Sequence, residues 1–357
     1  MARRRFRRQP ERASVVGAGS FGTGVALLLE RAGVRTTLLC RTPEQAERMV
    51  ETRENSKYLP GVELPDRLKI RVIGARDDQF HRADLVFLAV PSNALASAIE
   101  ELRRQGIAEH AGVVSLSKGL VPPDGTPPTL ALERSFGLER VSCVAGPAHA
   151  REMVDGGAGL VCASHDPELA ERVAELLRRG GVVCETSTDP VGVELAGCAK
   201  NAAALAAGAT ESQGLNAAGM AAADIFTEVL ALAELSGGRA RTFVGRAGTG
   251  DLVATALAPT SRNRSAGELL SKGVPADEIP GRLGQAVEAL ETVPLLARAI
   301  ERGGLKAPIT SALARLIDGT LPLDEWVALV RVSQPEKRRP GRFRRWWRRL
   351  RARRRSR

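Results

Sequence analysis

Short apolar runs alternate with longer helix-like stretches through the first half of the chain, and the alternation stops near residue 189. Residues 13–16 are the first run and lead into Gly17-Ala18-Gly19-Ser20-Phe21-Gly22. Residues 23–31 then read as a helix, stopped by Gly33. Further runs at 34–40, 84–90, 113–116, 142–145, 160–163 and 182–185 read as strands. The unbroken apolar character of 84–90 is that of a parallel strand covered on both faces. This pattern predicts an α/β domain built on a doubly wound, mostly parallel sheet. From 191 to 209 the chain is rich in alanine and long enough for a buried helix, and the remainder to about 332 reads as all-helical. The predicted organisation is an N-terminal arm (1–12), an α/β domain (13–189), a helical domain (190–333) and a tail (334–357) that Pro340-Gly341 sets off from the body. No internal repeat interrupts this order.

Composition refines the picture mainly by correcting the charge. The formal net charge is +11 over 357 residues. Residues 1–12 hold six Arg and one Glu, and residues 336–357 hold thirteen Lys or Arg and one Glu. The body between them therefore carries 33 basic and 39 acidic residues, a net of −6. A nucleic-acid-binding body is not indicated, and no specific nucleic-acid partner is expected. No run of eighteen apolar residues and no signal-peptide pattern is present. The five cysteines (Cys40, Cys143, Cys162, Cys184 and Cys198) are scattered without metal-ligand spacing. They read as reduced, buried thiols of a cytoplasmic protein, and no metal site is expected.

Candidate chemistry begins at Gly17-x-Gly19-x-x-Gly22, placed between a strand and a helix. There the first glycine permits a tight turn, the second lets a pyrophosphate approach the backbone, and the third allows close helix–strand packing. The following helix offers its free N–H groups to the phosphates. The α/β domain thus reads as a Rossmann NAD(P)-binding domain. The second strand ends at Cys40-Arg41, where an NAD site usually carries an acid and an arginine suits a 2′-phosphate. No acid occurs until Glu44, so the site leans to NADP, with NAD or dual use as the alternative.

Two lysines and a polar cassette supply the remaining chemistry. Lys118, in Ser117-Lys118-Gly119, follows a strand and projects at the carboxyl edge of the sheet, where open α/β folds bind ligands. Val90-Pro91-Ser92 and Gly146-Pro147-Ala148 end other strands at that edge. Lys200 lies inside the alanine-rich helix, where burying a charge is costly. Burial beside a second cation such as Lys118 lowers a lysine's pKa and makes it a usable general acid–base. Asp251, delivered by Gly248-Thr249-Gly250, is placed to orient Lys200. Ser261-Arg262-Asn263-Arg264 supplies a hydroxyl, guanidinium and carboxamide suited to a small phosphorylated metabolite.

Taken together, these segments resemble bacterial NAD(P)-dependent sn-glycerol-3-phosphate dehydrogenase, within the 6-phosphogluconate-dehydrogenase-like group. The resemblance rests on Gly17 to Thr23, Tyr58-Leu-Pro-Gly-Val62, Ala89-Val-Pro-Ser92, Ser117-Lys-Gly-Leu120 and Ala145-Gly-Pro147. It continues through Gly192 to Gly197 with Lys200-Asn201, Gly250-Asp-Leu252, Ser261 to Arg264 and Gly284-Gln285-x-x-Glu288. It implies a Rossmann domain followed by an all-helical 6-phosphogluconate-dehydrogenase-like domain, often in a homodimer, that reduces dihydroxyacetone phosphate for phospholipid synthesis. By carry-over Lys200 is the proton acceptor and donor, with Lys118 and Asp251 beside it in the catalytic group. Lys118, Gly146, Ala148, Lys200, Asp251, Ser261, Arg262 and Asn263 contact substrate. Gly17, Gly19, Ser20, Phe21, Gly22, Arg41, Lys118, Ala150, Arg262, Ala286 and Glu288 contact the coenzyme. Three departures stand out: Ala148 in place of the usual Ser or Thr, His149 in place of Phe, and Thr227-Glu228-Val229 in place of Thr-Arg-Gly. They bear on substrate affinity and specificity and spare the acid–base centre.

In the tail, Phe343, Trp346, Trp347 and Leu350 fall at helical spacing among arginines, the pattern of an interfacial helix on anionic lipid. A disordered polycation is the alternative for 342–357. Two other functions remain open. One is a related NADP-dependent reductase of another small keto or hydroxy substrate; the other is a weakly catalytic nucleotide-binding protein tethered to a membrane.

Overall fold

The computed structural model describes residues 12–74, 80–258 and 261–332. The N-terminal arm, but for Arg12, and the whole tail from 334, with its Phe343, Trp346, Trp347 and Leu350, lie outside the described residues.

Among the described residues ten strands run in chain order: β1 (Arg12–Val16), β2 (Arg35–Cys40), β3 (Glu54–Asn55), β4 (Leu59–Glu63), β5 (Lys69–Val72), β6 (Leu85–Leu88), β7 (Gly112–Ser115), β8 (Val141–Ala145), β9 (Gly159–Ser164) and β10 (Val183–Ser187). Eight form one sheet in the order β10-β9-β8-β7-β6-β1-β2-β5. From β5 to β8 all neighbours are parallel, while β9 meets β8 antiparallel and carries β10 parallel to itself. The order β5-β2-β1-β6-β7-β8 is that of a doubly wound dinucleotide fold, with the switch in winding direction between β1 and β6. Strands β6 and β7 are buried along their whole length, as their unbroken apolar runs require.

Six helices flank the sheet: α1 (Ser20–Arg31), α2 (Pro43–Thr52), α3 (Leu95–Gln105), α4 (Pro128–Phe136), α5 (Ala150–Val154) and α6 (Pro167–Arg179). Helices α1 and α6 cover one face with Val25, Leu28, Val173 and Leu177, and α3 and α4 cover the other with Leu95, Ile99 and Leu132. Helix α1 starts three residues earlier than periodicity predicts, at Ser20. Gly22, being helical, packs directly on the turn before it.

Among the described residues nine α-helices follow: α7 (Pro190–Thr210), α8 (Leu215–Leu235), α9 (Ala240–Val244), α10 (Asp251–Leu257), α11 (Arg262–Leu270), α12 (Ile279–Leu283), α13 (Glu288–Arg302), α14 (Pro308–Ile317) and α15 (Leu323–Val332). Helix α7 is their axis: of its residues only Ala207 escapes full burial. Its alanines and glycines let neighbours approach closely. A Cβ on Gly208 would lie 2.1 Å from the Arg264 carbonyl oxygen, and one on Gly267 would lie 2.1 Å from that of Leu205, so α7 and α11 cross with backbones almost touching. One hydrophobic core joins α7, α8 and α13 to Cys143, Ala145, Val161 and Ala163 of the sheet, leaving no solvent layer between sheet and helices.

Helix α8 is long and apolar enough, by length and composition, to cross a membrane. Here Ala218, Ala221, Ile225, Val229 and Ala233 are buried, most of them in the core shared with α7. Glu228 accepts hydrogen bonds from the Ile309 and Thr310 N–H groups and the Thr310 hydroxyl, and so caps α14. The departure at Thr227-Glu228-Val229 therefore has a structural partner at the start of another helix.

Candidate active site

The Gly-rich turn lies at the switch point between β1 and β6. Gly17 has φ +108°, and a Cβ there would come within 2.4 Å of the Ala89 carbonyl oxygen. A Cβ on Gly22 would lie 2.0 Å from the Gly17 carbonyl oxygen, so the third glycine lets α1 fold back over the turn. Gly19 faces open space, with nothing within 4 Å of its Cβ position. A cradle open only at Gly19, in front of the N–H groups of α1, fits a pyrophosphate. Ser20 and Phe21 begin α1 at that opening, and Arg41 follows β2 on the adjoining edge.

Across the carboxyl edge from this turn, three ionisable side chains converge. Asp251 is 3% exposed. Its Oδ1 lies 3.3 Å from the Lys200 Nζ and its Oδ2 lies 3.4 Å from the Lys118 Nζ. One carboxylate thus serves two ammonium groups. Lys200 also donates to the Thr255 hydroxyl at 3.1 Å, and Lys118 to the Gly146 carbonyl at 3.4 Å. The Lys118 ammonium stands 5.4 Å from the centre of the Phe21 ring, which links it to the first turn of α1. Burial, then repulsion from Lys118, pulls the Lys200 pKa down to about 8, against the opposing pull of Asp251 and Glu288. A lysine so placed exchanges its proton near neutral pH.

Backbone geometry explains how distant segments meet. Asp251 opens α10 directly after a π-helical turn over Arg246–Gly250, where a Cβ on Gly248 would lie 2.1 Å from the Phe243 carbonyl oxygen. That tight turn aims the carboxylate inward. Thr255, one helical turn on, points the same way. Gly146 has φ +119° and abuts the Gly159 carbonyl, turning the chain at the end of β8 so that its own carbonyl faces Lys118. Ala148 is partly buried in this turn and Ala150 begins α5.

The polar cassette sits beside Lys200 through α11. Ser261 is its N-cap, accepting from the Arg264 N–H. Asn263 donates to the Asn201 Oδ1 at 2.9 Å and accepts from the Ala289 N–H at 3.2 Å. Arg262 is exposed and donates to the Ala286 carbonyl at 3.0 Å. Glu288 accepts from the Asn201 Nδ2 at 3.1 Å. The predicted residues therefore fall into two neighbourhoods: Lys118, Gly146, Lys200 and Asp251 with Phe21, and Arg262, Asn263, Ala286 and Glu288 around Asn201. Arg41 stands apart from both, on the wall of a separate concavity.

Two residues of the site escape sequence reasoning. Asn201 donates to the Lys118 carbonyl and joins it to Asn263 and Glu288, so it binds the sheet edge to α11 and α13. Its place next to Lys200 was the available signal. Thr255 offered only its spacing of four from Asp251.

A doubly wound dinucleotide fold whose carboxyl edge meets a buried aspartate shared by two lysines defines a nicotinamide-coenzyme dehydrogenase. Models of the NAD-dependent glycerol-3-phosphate dehydrogenase N-terminus and C-terminus match residues 12–170 and 189–328. The chain belongs to this NAD(P)-dependent family. It is 34% identical over 332 residues to glycerol-3-phosphate dehydrogenase (NAD(P)+) of Chlorobium limicola, covering 91% of this chain and 98% of that protein. It is 38% identical over 312 residues to the protein of the same name from Deinococcus radiodurans, covering 85% and 90%. The crystal structure of glycerol-3-phosphate dehydrogenase from Coxiella burnetii superposes with a TM-score of 0.83 at 26% identity, over 90% of this chain and 99% of that one. A ketopantoate reductase from Ralstonia eutropha shares the fold alone, at a TM-score of 0.59 and 20% identity, over 88% of this chain and 99% of that one.

Proposed function

We propose that this chain reduces dihydroxyacetone phosphate to sn-glycerol 3-phosphate, supplying glycerophospholipid synthesis. The observation that carries the reading is the pair of lysines on one buried aspartate, facing the Gly-rich turn across the sheet edge. The nicotinamide coenzyme supplies the hydride that C2 receives. Lys200 gives its proton to the C2 oxygen as charge develops there, and takes it back in the oxidative direction. Lys118 stabilises that oxygen and the neighbouring hydroxyl electrostatically, while Asp251 holds both ammonium groups in register. Ser261, Arg262 and Asn263 receive the phosphate, and Gly146 and Ala148 close the substrate side. Gly17, Gly19, Ser20, Phe21, Gly22, Ala150, Ala286 and Glu288 line the coenzyme.

Arg41 favours NADPH over NADH. The division of labour follows the sheet and the helices, with 13–189 binding coenzyme and 190–333 binding substrate. The working unit is a homodimer in the cytoplasm, and the arginine-rich tail brings it to anionic membrane surfaces. Vesicle co-sedimentation of the full chain, set against a chain ending at Gln334, tests the tail: equal binding by both removes that role.

The deciding experiment follows NADPH oxidation with dihydroxyacetone phosphate, beside NADH and beside unphosphorylated dihydroxyacetone. Rapid turnover that requires the phosphate is the expected result. Equal turnover of the unphosphorylated ketone would mean that the Ser261-Arg262-Asn263 cassette does not read phosphate.

A further inference from the structure

Next to the Gly-rich turn, at the end of β2, lies a concavity of about 210 Å3 walled by α2 and the loop between β3 and β4. It is structurally continuous with the turn: Gln45 and Asn55 both line it, and both donate to the Ala18 carbonyl, at 2.9 and 3.1 Å. Asn55 also donates to Thr23 of α1 at 2.8 Å. Three cations line its wall, from three separate segments: Arg41 after β2, Arg48 on α2 and Lys57 in the β3–β4 loop. None of the three makes an ion pair among the described residues; Lys57 only stands over the Tyr58 ring. Two carboxylates share the lining: Glu44 is turned onto its own backbone N–H and the Thr42 hydroxyl, which hold it below the usual carboxylate range, and Glu54 accepts the Gly61 N–H at 2.8 Å. A concavity with three unpaired cations and two acids already engaged by N–H and hydroxyl donors favours a dianion over a ribose diol.

We propose that Arg48 and Lys57 complete, with Arg41, a seat for a phosphomonoester on the adenosine ribose, and that these two residues share with Arg41 in setting the preference for NADPH over NADH. This rests on the coenzyme reading above. Arg41 reaches the phosphate from the strand end, Lys57 from the hairpin and Arg48 from the second turn of α2, so the dianion is held on three sides. Because all three side chains are exposed, their pull is screened and falls with added salt.

Calorimetric titration of the full-length chain with adenosine 2′,5′-bisphosphate and with adenosine 5′-monophosphate tests the seat without any turnover. Native protein is expected to bind the bisphosphate more tightly. Arg48→Gln and Lys57→Gln should each cut that advantage about five- to tenfold, and together about thirtyfold or more, a charge-assisted contact being lost each time. Affinity for the monophosphate should stay within about twofold, which also shows that the variants are folded. Contributions of the basic tail cancel, since every protein compared carries it. Binding of neither nucleotide by native protein would overturn the coenzyme reading and the seat together. Equal native affinity for both nucleotides would leave coenzyme binding standing and overturn the seat. A bisphosphate advantage that survives the double substitution would leave NADPH preference to Arg41 and remove Arg48 and Lys57 from it.

Discussion

Replacing Asp251 by Asn removes the charge between Lys118 and Lys200 while keeping the shape of the side chain. At 3.3 Å the attraction between its carboxylate and the Lys200 ammonium is about 5 kcal/mol with an effective dielectric constant near 20. Relaxation and the remaining Glu288 charge offset part of this, and about half of it corresponds to roughly two pH units. The native Lys200 pKa of about 8 leaves about nine-tenths of the lysine protonated at neutral pH. In the Asp251→Asn variant Lys200 would be mostly neutral there, because Lys118 still repels its proton and nothing nearby as strong holds it. Reduction needs that proton, so turnover with dihydroxyacetone phosphate should fall about tenfold at neutral pH and recover toward mildly acidic pH. The descending limb of the kcat profile should move about two pH units toward acid. Saturating substrate keeps weaker binding from imitating this. A uniform loss of kcat across the profile, with the limb unmoved, would show that Asp251 acts only by touching substrate.

Lys200→Ala should lower kcat by about three orders of magnitude and leave NADPH affinity, measured by fluorescence quenching, nearly unchanged; lost coenzyme binding would instead mark Lys200 as structural. In the native chain, reductive turnover should fall and oxidative turnover rise as pH climbs through about 8, since the same ammonium serves as acid in one direction and as base, once neutral, in the other. The lowered lysine pKa has a consequence for stability too. Between about 8 and the ordinary lysine value the unfolded chain holds a proton that the folded one lacks, so this group's contribution to stability rises with pH across that window, which pH-dependent denaturation of Lys200→Met relative to native protein can isolate. Gly22→Ala places a Cβ 2.0 Å from the Gly17 carbonyl, and it should weaken binding of both coenzymes and lower the melting temperature together. An unchanged melting temperature would mean that the turn relaxes at no cost.

Most of the sheet was legible because its strands are apolar on both faces, as β6 and β7 show. Strand β5, Lys69–Val72, was not: at the sheet edge it alternates charge with Ile70 and Val72 and buries little. The hairpin of β3 and β4 was hidden for a related reason, since Asn55 is held by Ala18 and Thr23 through its amide and not by an apolar pattern. The reversal at β9 was invisible because apolar runs carry no sense of direction. At the site, Lys200 stood out as a charge in an alanine-rich helix, and Asp251 as a carboxylate behind glycines. Their joining through opposite oxygens of one carboxylate depends on the π-helical turn at Arg246–Gly250, which no local propensity announces. Asn201 went without a role because an amide's partners lie far off in sequence, at Lys118, Asn263 and Glu288.

The close crossing of α7 and α11 at Gly208 and Gly267 bears on how this enzyme can change over evolutionary time. Lys200, the proposed proton donor, is carried by a helix that admits no added atom at Gly208, so drift on that face of α7 is checked by folding before it is checked by activity. Arg41, Arg48 and Lys57, the cations proposed to face the coenzyme, sit on open surface, where a substitution disturbs little packing. With those proposed roles, cofactor choice is free to follow the supply of reducing equivalents from one lineage to the next, while the acid–base chemistry stays locked to the scaffold that bears it.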